Sequence, residues 1–144
     1  MSNSTPLPSS VLFVCYLNSI RSPMAEGLLK SMAGESVYVQ SCGLESGDLD
    51  QLMVSVMSEK GIDMSGHKAR TLSDIQDGSF DLVIAFTKDA GLAAENIFAG
   101  QDTVVETWVL PDPSAGALDV RAMMNNYRAM RTLIENRLKA RFKP

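Results

Sequence analysis

Four short apolar runs recur along this chain of 144 residues, and each is followed by a segment of helical periodicity. The runs are Val11–Val14, Val37–Val39, Leu82–Ala85 and Val104–Val109. Each has the length of a buried strand and is too short for a core helix. Behind the first, Met24, Ala25, Leu28, Leu29 and Met32 fall on one helical face. Leu52, Met53, Val56 and Met57 do so behind the second, ending at Gly61, and Leu92, Ala93 and Ile97 behind the third. A last helix carries Val120, Met123, Met124, Tyr127, Met130, Ile134 and Leu138, running to about Phe142. Strands alternating with helices predict one α/β domain, a parallel sheet with helices on both faces. Ligands of such sheets bind beyond the carboxyl ends of the strands. The methionines sit at helical spacing and read as core filler.

The first run leads directly into Cys15-Tyr16-Leu17-Asn18-Ser19-Ile20-Arg21-Ser22-Pro23. A loop of this length between a strand and a helix can curl until its backbone N–H groups converge. The helix N-terminus adds partial positive charge at the same point, which makes it an anion site. Arg21 can grip two oxygens of that anion in a fork, and the thiol faces it as a nucleophile. The predicted phosphate-binding segment is therefore Tyr16, Leu17, Asn18, Ser19, Ile20, Arg21 and Ser22. Thiols at helix N-termini or beside cations ionise at about pH 3.5–7.5, against about 8.5 for a free cysteine. The bland alternative is a cysteine buried at the end of a core strand.

A thiolate attacking phosphorus would form a cysteinyl-phosphate, and the leaving oxygen would then need a proton. Asp112, flanked by Pro111 and Pro113 just beyond the fourth run, lies on the same side of the sheet. The prolines stiffen the segment, so a carboxylate can be held at fixed reach as general acid. Taken alone, Pro-Asp-Pro is ordinary turn chemistry; the thiol loop turns the preference toward catalysis.

Composition removes several classes of partner. A formal net charge of −4 gives the whole molecule no attraction for nucleic acid or an acidic membrane. No apolar stretch approaches the length of a membrane span. The basic residues Arg128, Arg131, Arg137, Lys139, Arg141 and Lys143 alternate with apolar ones at helical spacing, as on a solvated helix face. Two cysteines, Cys15 and Cys42, make no disulfide framework and point to a reducing, cytoplasmic setting. Residues 1–10 lack the basic start and apolar middle of a signal peptide and read as a flexible tail, leaving a domain over 11–144. A monomer or weak dimer is expected.

The segments VLFVC-YLN-SIRSPMAEGLL, VQSCG, GIDMSGHKAR, FDLVIAF and WVLPDPSAG, in this order and separation, resemble the low-molecular-weight protein tyrosine phosphatase family. That family also contains the thioredoxin-coupled arsenate reductases, and Asn18-Ser19, Met24-Ala25-Glu26-Gly27 and Trp108…Asp112-Pro113 resemble that bacterial branch more than the eukaryotic-type phosphatases. The resemblance implies a four-stranded parallel sheet, Cys15 as nucleophile, Arg21 as phosphate clamp and Asp112 as general acid. It further implies that Asn18, Ser22, Ser41 and His67 form a hydrogen-bonded support for the loop. No metal and no cofactor is implied.

Two positions depart from the family pattern. Leu17 stands where its phosphatases have Gly, and a leucine resists a positive φ. Ser114 and Ala115 replace the aromatic wall that follows Asp-Pro in tyrosine-specific members, a place Tyr16 is expected to fill. The expected activity is hydrolysis of aryl phosphate monoesters, with phosphorylated protein or small aryl phosphates as substrates. The alternatives are an arsenate reductase using external thiols, since Phe86–Ala94 contains no relay cysteines, and a catalytically weak phosphate- or phosphoprotein-binding module. Cys42 is expected after the second strand, where a lone cysteine reads as small core packing; the alternative is a protective disulfide with Cys15.

Overall fold

The structure, a computed structural model, describes residues 8–75 and 78–142. Four strands, β1 (Ser10–Cys15), β2 (Tyr38–Gly43), β3 (Leu82–Ala85) and β4 (Val104–Thr107), form one sheet in the order β2-β1-β3-β4. All three pairings are parallel. The main helices are α1 (Arg21–Ala33), α2 (Gln51–Ser58), α3 (Lys88–Ile97) and α4 (Val120–Arg141). The four-stranded parallel sheet expected from the apolar runs is thus the sheet the chain forms. β1 lies in its interior, with β2 on one side and β3 on the other, so the chain reverses its winding direction beyond Cys15. Such a switch point leaves a crevice at the carboxyl end of the strands.

Alternation along β1 builds two cores. Val11 and Phe13 face α1, α2 and α4 with Leu28, Met53, Tyr127 and Ile134, whereas Leu12 and Val14 face α3 with Ala90, Ala94 and Phe98. Helices therefore cover both faces, three against one. Met24, Met53 and Met57 are fully buried, as core filler should be. Among the described residues no helix is long and apolar enough to cross a membrane.

Several boundaries differ from the sequence reading. Ser9 and Ser10 belong to the fold: the Ser9 hydroxyl donates to Asp81 at 2.7 Å, and Tyr38 N–H donates to the Ser9 carbonyl at 2.8 Å. The expected tail thus overlaps the sheet, and residues 1–7 lie outside the described residues. β2 runs on through Ser41, Cys42 and Gly43, which places Cys42 inside the strand rather than after it. α3 buries its small residues Ala90, Gly91 and Ala94, while Leu92 is exposed. Met32 and Val120 are exposed as well. On α4, Arg128 and Arg131 grip Glu59, Arg141 pairs with Glu106, and Arg137 lies 4.8 Å above the Trp108 ring. Four of the six basic residues thus reach neighbouring segments, whereas Lys139 pairs with Glu135 on α4 itself and Lys143 lies outside the described residues.

Candidate active site

Cys15 ends β1, and residues 16–20 wrap over the switch point before Arg21 opens α1. α2, α3 and α4 each begin under a side-chain cap, from Asp50, Thr87 and Asp119 at 2.9, 3.0 and 2.8 Å. α1 has none: Ile20 occupies the capping position and offers no acceptor. The N–H groups of its first turn are left for a ligand. Buried first-turn donors without a cap are what a bound oxyanion requires.

Asn18 carries the loop. It is the one non-glycine residue with positive φ, 56°, among the described residues. Leu17 is therefore spared the left-handed backbone, and its departure from the glycine pattern adds no strain of that kind. Asparagine takes that conformation more readily than leucine. Fully buried, Asn18 uses its whole amide: Nδ2 donates to Ser22 Oγ and Ser41 Oγ, both at 2.9 Å, and Oδ1 accepts from Arg70 N at 2.9 Å. Its carbonyl oxygen meets His67 Nε2 at 2.9 Å. Asn18, Ser22, Ser41 and His67 are thus brought into one network around the loop.

That network ends at the sulfur. Ser22 Oγ lies 2.8 Å from Cys15 Sγ and 3.2 Å from the Cys42 carbonyl. Since Ser22 already accepts from Asn18, its single proton goes either to that carbonyl or to the sulfur, and a thiolate draws it to the sulfur. At the far end, Ser41 Oγ donates to Glu26 at 2.5 Å, and Glu26 pairs with Lys30 at 2.5 Å. Glu26 is buried and Arg70 supplies the backbone donor; sequence reading missed both. Glu26-Lys30 at four-residue spacing looks like a surface pair, and only its contact with β2 shows otherwise. Gly43 is also required, because a Cβ there would meet Tyr16 O at 2.5 Å and Asn18 N at 2.7 Å.

A cavity of about 330 Å³ opens above the loop, lined by Cys15, Tyr16, Leu17, Ser19, Ile20, Arg21, Glu45, Asp112 and Ser114. Nucleophile, guanidinium and carboxylate therefore share one space although Asp112 lies 97 positions beyond Cys15 in the chain. Arg21 Nη1 donates to the Leu110 carbonyl at 2.9 Å, which ties the clamp to the segment carrying Asp112. Asp112 Oδ1 accepts from Ser114 N and Ser114 Oγ at 2.9 and 2.7 Å, and its other oxygen has no hydrogen-bond partner among the described residues. Tyr16 forms part of the wall, its hydroxyl donating to Glu45 at 2.6 Å. That bond and the Glu45 charge hold the Tyr16 hydroxyl above its ordinary pKa. Ser19 Oγ donates to the Asp48 carbonyl at 2.9 Å, fastening the loop from the other side.

Cys42 stands apart from this chemistry. Register pairs it with Val14, and its side chain is buried among Leu12, Val14 and Phe98 on the α3 face, whereas Cys15 belongs to the opposite core. Burial pushes its thiol well above the ordinary range. Cys42 is thus the core packing residue read from the sequence, and the alternative disulfide with Cys15 would have to join side chains on opposite faces of the sheet. Among the described residues no group of three or more His, Cys, Asp or Glu side chains is placed to hold a metal ion.

A parallel α/β domain with a thiol, an uncapped helix N-terminus and a guanidinium at its switch point defines a cysteine-dependent oxyanion enzyme. Residues 10–143 match the family model described as low molecular weight phosphotyrosine protein phosphatase, and the chain belongs to that family. The glutaredoxin arsenate reductase of Synechocystis sp. is 33% identical over 128 residues, covering 89% of this chain and 92% of that protein. A solved arsenate reductase in the phosphate-binding state superposes with a TM-score of 0.76 at 31% identity, covering 92% and 95%. A Cys-to-Ser mutant of the YwlE arginine phosphatase, with its active-site serine phosphorylated, gives 0.74 at 27% identity, covering 90% and 91%.

Proposed function

We propose that the chain hydrolyses phosphate monoesters through a Cys15-phosphate intermediate, with aryl phosphates and protein phosphotyrosine as its substrate class. The observation that carries this reading is the shared cavity of Cys15, Arg21 and Asp112. The phosphoryl group sits over the uncapped α1 terminus, with Arg21 on two of its oxygens. Cys15 sulfur attacks phosphorus, the P–O ester bond breaks, and the leaving oxygen takes the proton of Asp112. Asp112, now a carboxylate, accepts a proton from water; the hydroxide attacks phosphorus, the S–P bond breaks and phosphate leaves. Each preorganised donor on the developing charge is worth about 3–4 kcal/mol in comparable sites. Ser22 holds the sulfur charge, and Asn18, Ser41 and His67 keep Ser22 and the loop in place. Tyr16 gives an aryl group a flat wall where the aromatic after Asp-Pro is missing.

A second reading has its own support. Relatives that match most of this chain are named arsenate reductases, and one name couples the reaction to glutaredoxin. Arsenate would bind the same cradle; the Cys15 sulfur would attack arsenic, forming the S–As bond as one As–O bond breaks and that oxygen, protonated by Asp112, leaves as water. With Cys42 on the far face, the two electrons would come from external thiols: one attacks the Cys15 sulfur and releases arsenite, and a second reduces the mixed disulfide. Hydrolysis of p-nitrophenyl phosphate and reduction of arsenate under glutathione with glutaredoxin, or under thioredoxin, separate the two. Ester turnover without arsenate turnover upholds the phosphatase; the reverse result replaces it with the reductase.

A further inference from the structure

We propose that Glu45 makes the rim of the pocket anionic and thereby selects phosphate esters carried on basic peptides, a substrate preference that rests on the phosphatase reading above. The pocket has two zones of opposite sign. Its floor, with Arg21 and the α1 terminus, suits any phosphoryl group equally. Around it, Arg21 is the one cation among the lining residues, and Glu45 and Asp112 are the two carboxylates. Asp112 is protonated when it acts as general acid, so Glu45 is the rim charge that persists through the first step.

Glu45 is also fixed in place, which a surface carboxylate ordinarily is not. Its backbone N–H donates to the Tyr16 carbonyl at 2.9 Å, and its Oε2 accepts the Tyr16 hydroxyl at 2.6 Å. Neighbouring backbone bonds, Leu44 N to Cys15 O at 3.1 Å and Gly47 N to Leu17 O at 2.8 Å, weld this segment to the phosphate loop. The second oxygen, Oε1, has no partner among the described residues, and no ion pair engages Glu45 there. A preplaced charge loses little side-chain freedom on meeting a cation. A Lys or Arg beside the phosphorylated residue would meet it, whereas an acidic neighbour would be repelled.

The test compares two phosphotyrosine peptides of equal length, one flanked by Lys and Arg, the other by Asp and Glu. At low ionic strength the basic peptide is expected to show a kcat/KM about fivefold higher, the scale of one or two exposed ion pairs. The ratio should shrink toward one in concentrated salt. Glu45→Gln keeps an acceptor for the Tyr16 hydroxyl while removing the charge, and should cut the ratio to about twofold or less. Equal kcat/KM values for the two peptides, or a ratio that Glu45→Gln leaves intact, would overturn the proposal while p-nitrophenyl phosphate turnover upheld the phosphatase. Absence of turnover on peptides and p-nitrophenyl phosphate alike would overturn the phosphatase reading and this preference with it.

Discussion

The Ser22 hydroxyl stands 2.8 Å from the Cys15 sulfur and has one proton to give. Asn18 takes up its acceptor side, so ionisation of the sulfur turns that proton from the Cys42 carbonyl toward Cys15. Loss of one hydrogen bond to a charged group costs about 1.5–3 kcal/mol. Ser22→Ala should accordingly lower kcat by roughly 10- to 100-fold. Steady-state kinetics on p-nitrophenyl phosphate, with circular dichroism to show an intact fold, checks this.

Asn18 combines a left-handed backbone with a fully used, buried amide. Asn18→Ala would strand the Ser41 and Arg70 groups that it satisfies and force alanine into positive φ. The two effects together should destabilise the protein by about 2–4 kcal/mol. Urea denaturation measures it. A loss under 1 kcal/mol would mean that the network is not built as described.

Asp112→Asn keeps the shape and the Ser114 bonds but removes the transferable proton. Phenyl phosphate, with its poor leaving group, should lose about 10²- to 10⁴-fold in kcat, and p-nitrophenyl phosphate far less. A plot of rate against leaving-group acidity should steepen in the variant. Equal losses across the series would assign Asp112 a structural role.

Glu59, gripped by Arg128 and Arg131, joins the end of α2 to α4. The two guanidinium groups lower its pKa from 4.5 to about 2. A depressed carboxyl adds stability above its unfolded value, and that stability disappears as pH falls through the folded one. Glu59→Gln should therefore lower Tm at neutral pH. Its difference from the parent protein should vanish between about pH 4.5 and 2. Thermal melts of both proteins across that range test the sign.

Much of the fold was legible because apolar runs and helical periodicity report burial directly. Val11–Val14 and Leu82–Ala85 became interior strands, and Tyr127, Ile134 and Leu138 became the buried line of α4. β2 was cut short at Val39 in the sequence reading because Gln40, Ser41 and Gly43 carry no apolar signal. Their strand character comes from pairing with β1. α3 hid its buried face for a related reason: Ala90, Gly91 and Ala94 let the helix lie close to the sheet, and small residues announce burial poorly. Within the site, the loop residues and Asp112 were legible from local chemistry. Glu26, Arg70 and Glu45 were not, since each acts through a partner distant in sequence: Ser41, Asn18 and Tyr16.

Cys15 as the covalent nucleophile is most directly tested by acid-quenching the enzyme during turnover of p-nitrophenyl phosphate and mapping the adduct by mass spectrometry. The peptide containing Cys15 should gain one phosphoryl group, and Cys15→Ser should give no p-nitrophenol release while still binding vanadate. An unmodified Cys15 peptide during active turnover, or a phosphoryl group found on another side chain, would contradict the account.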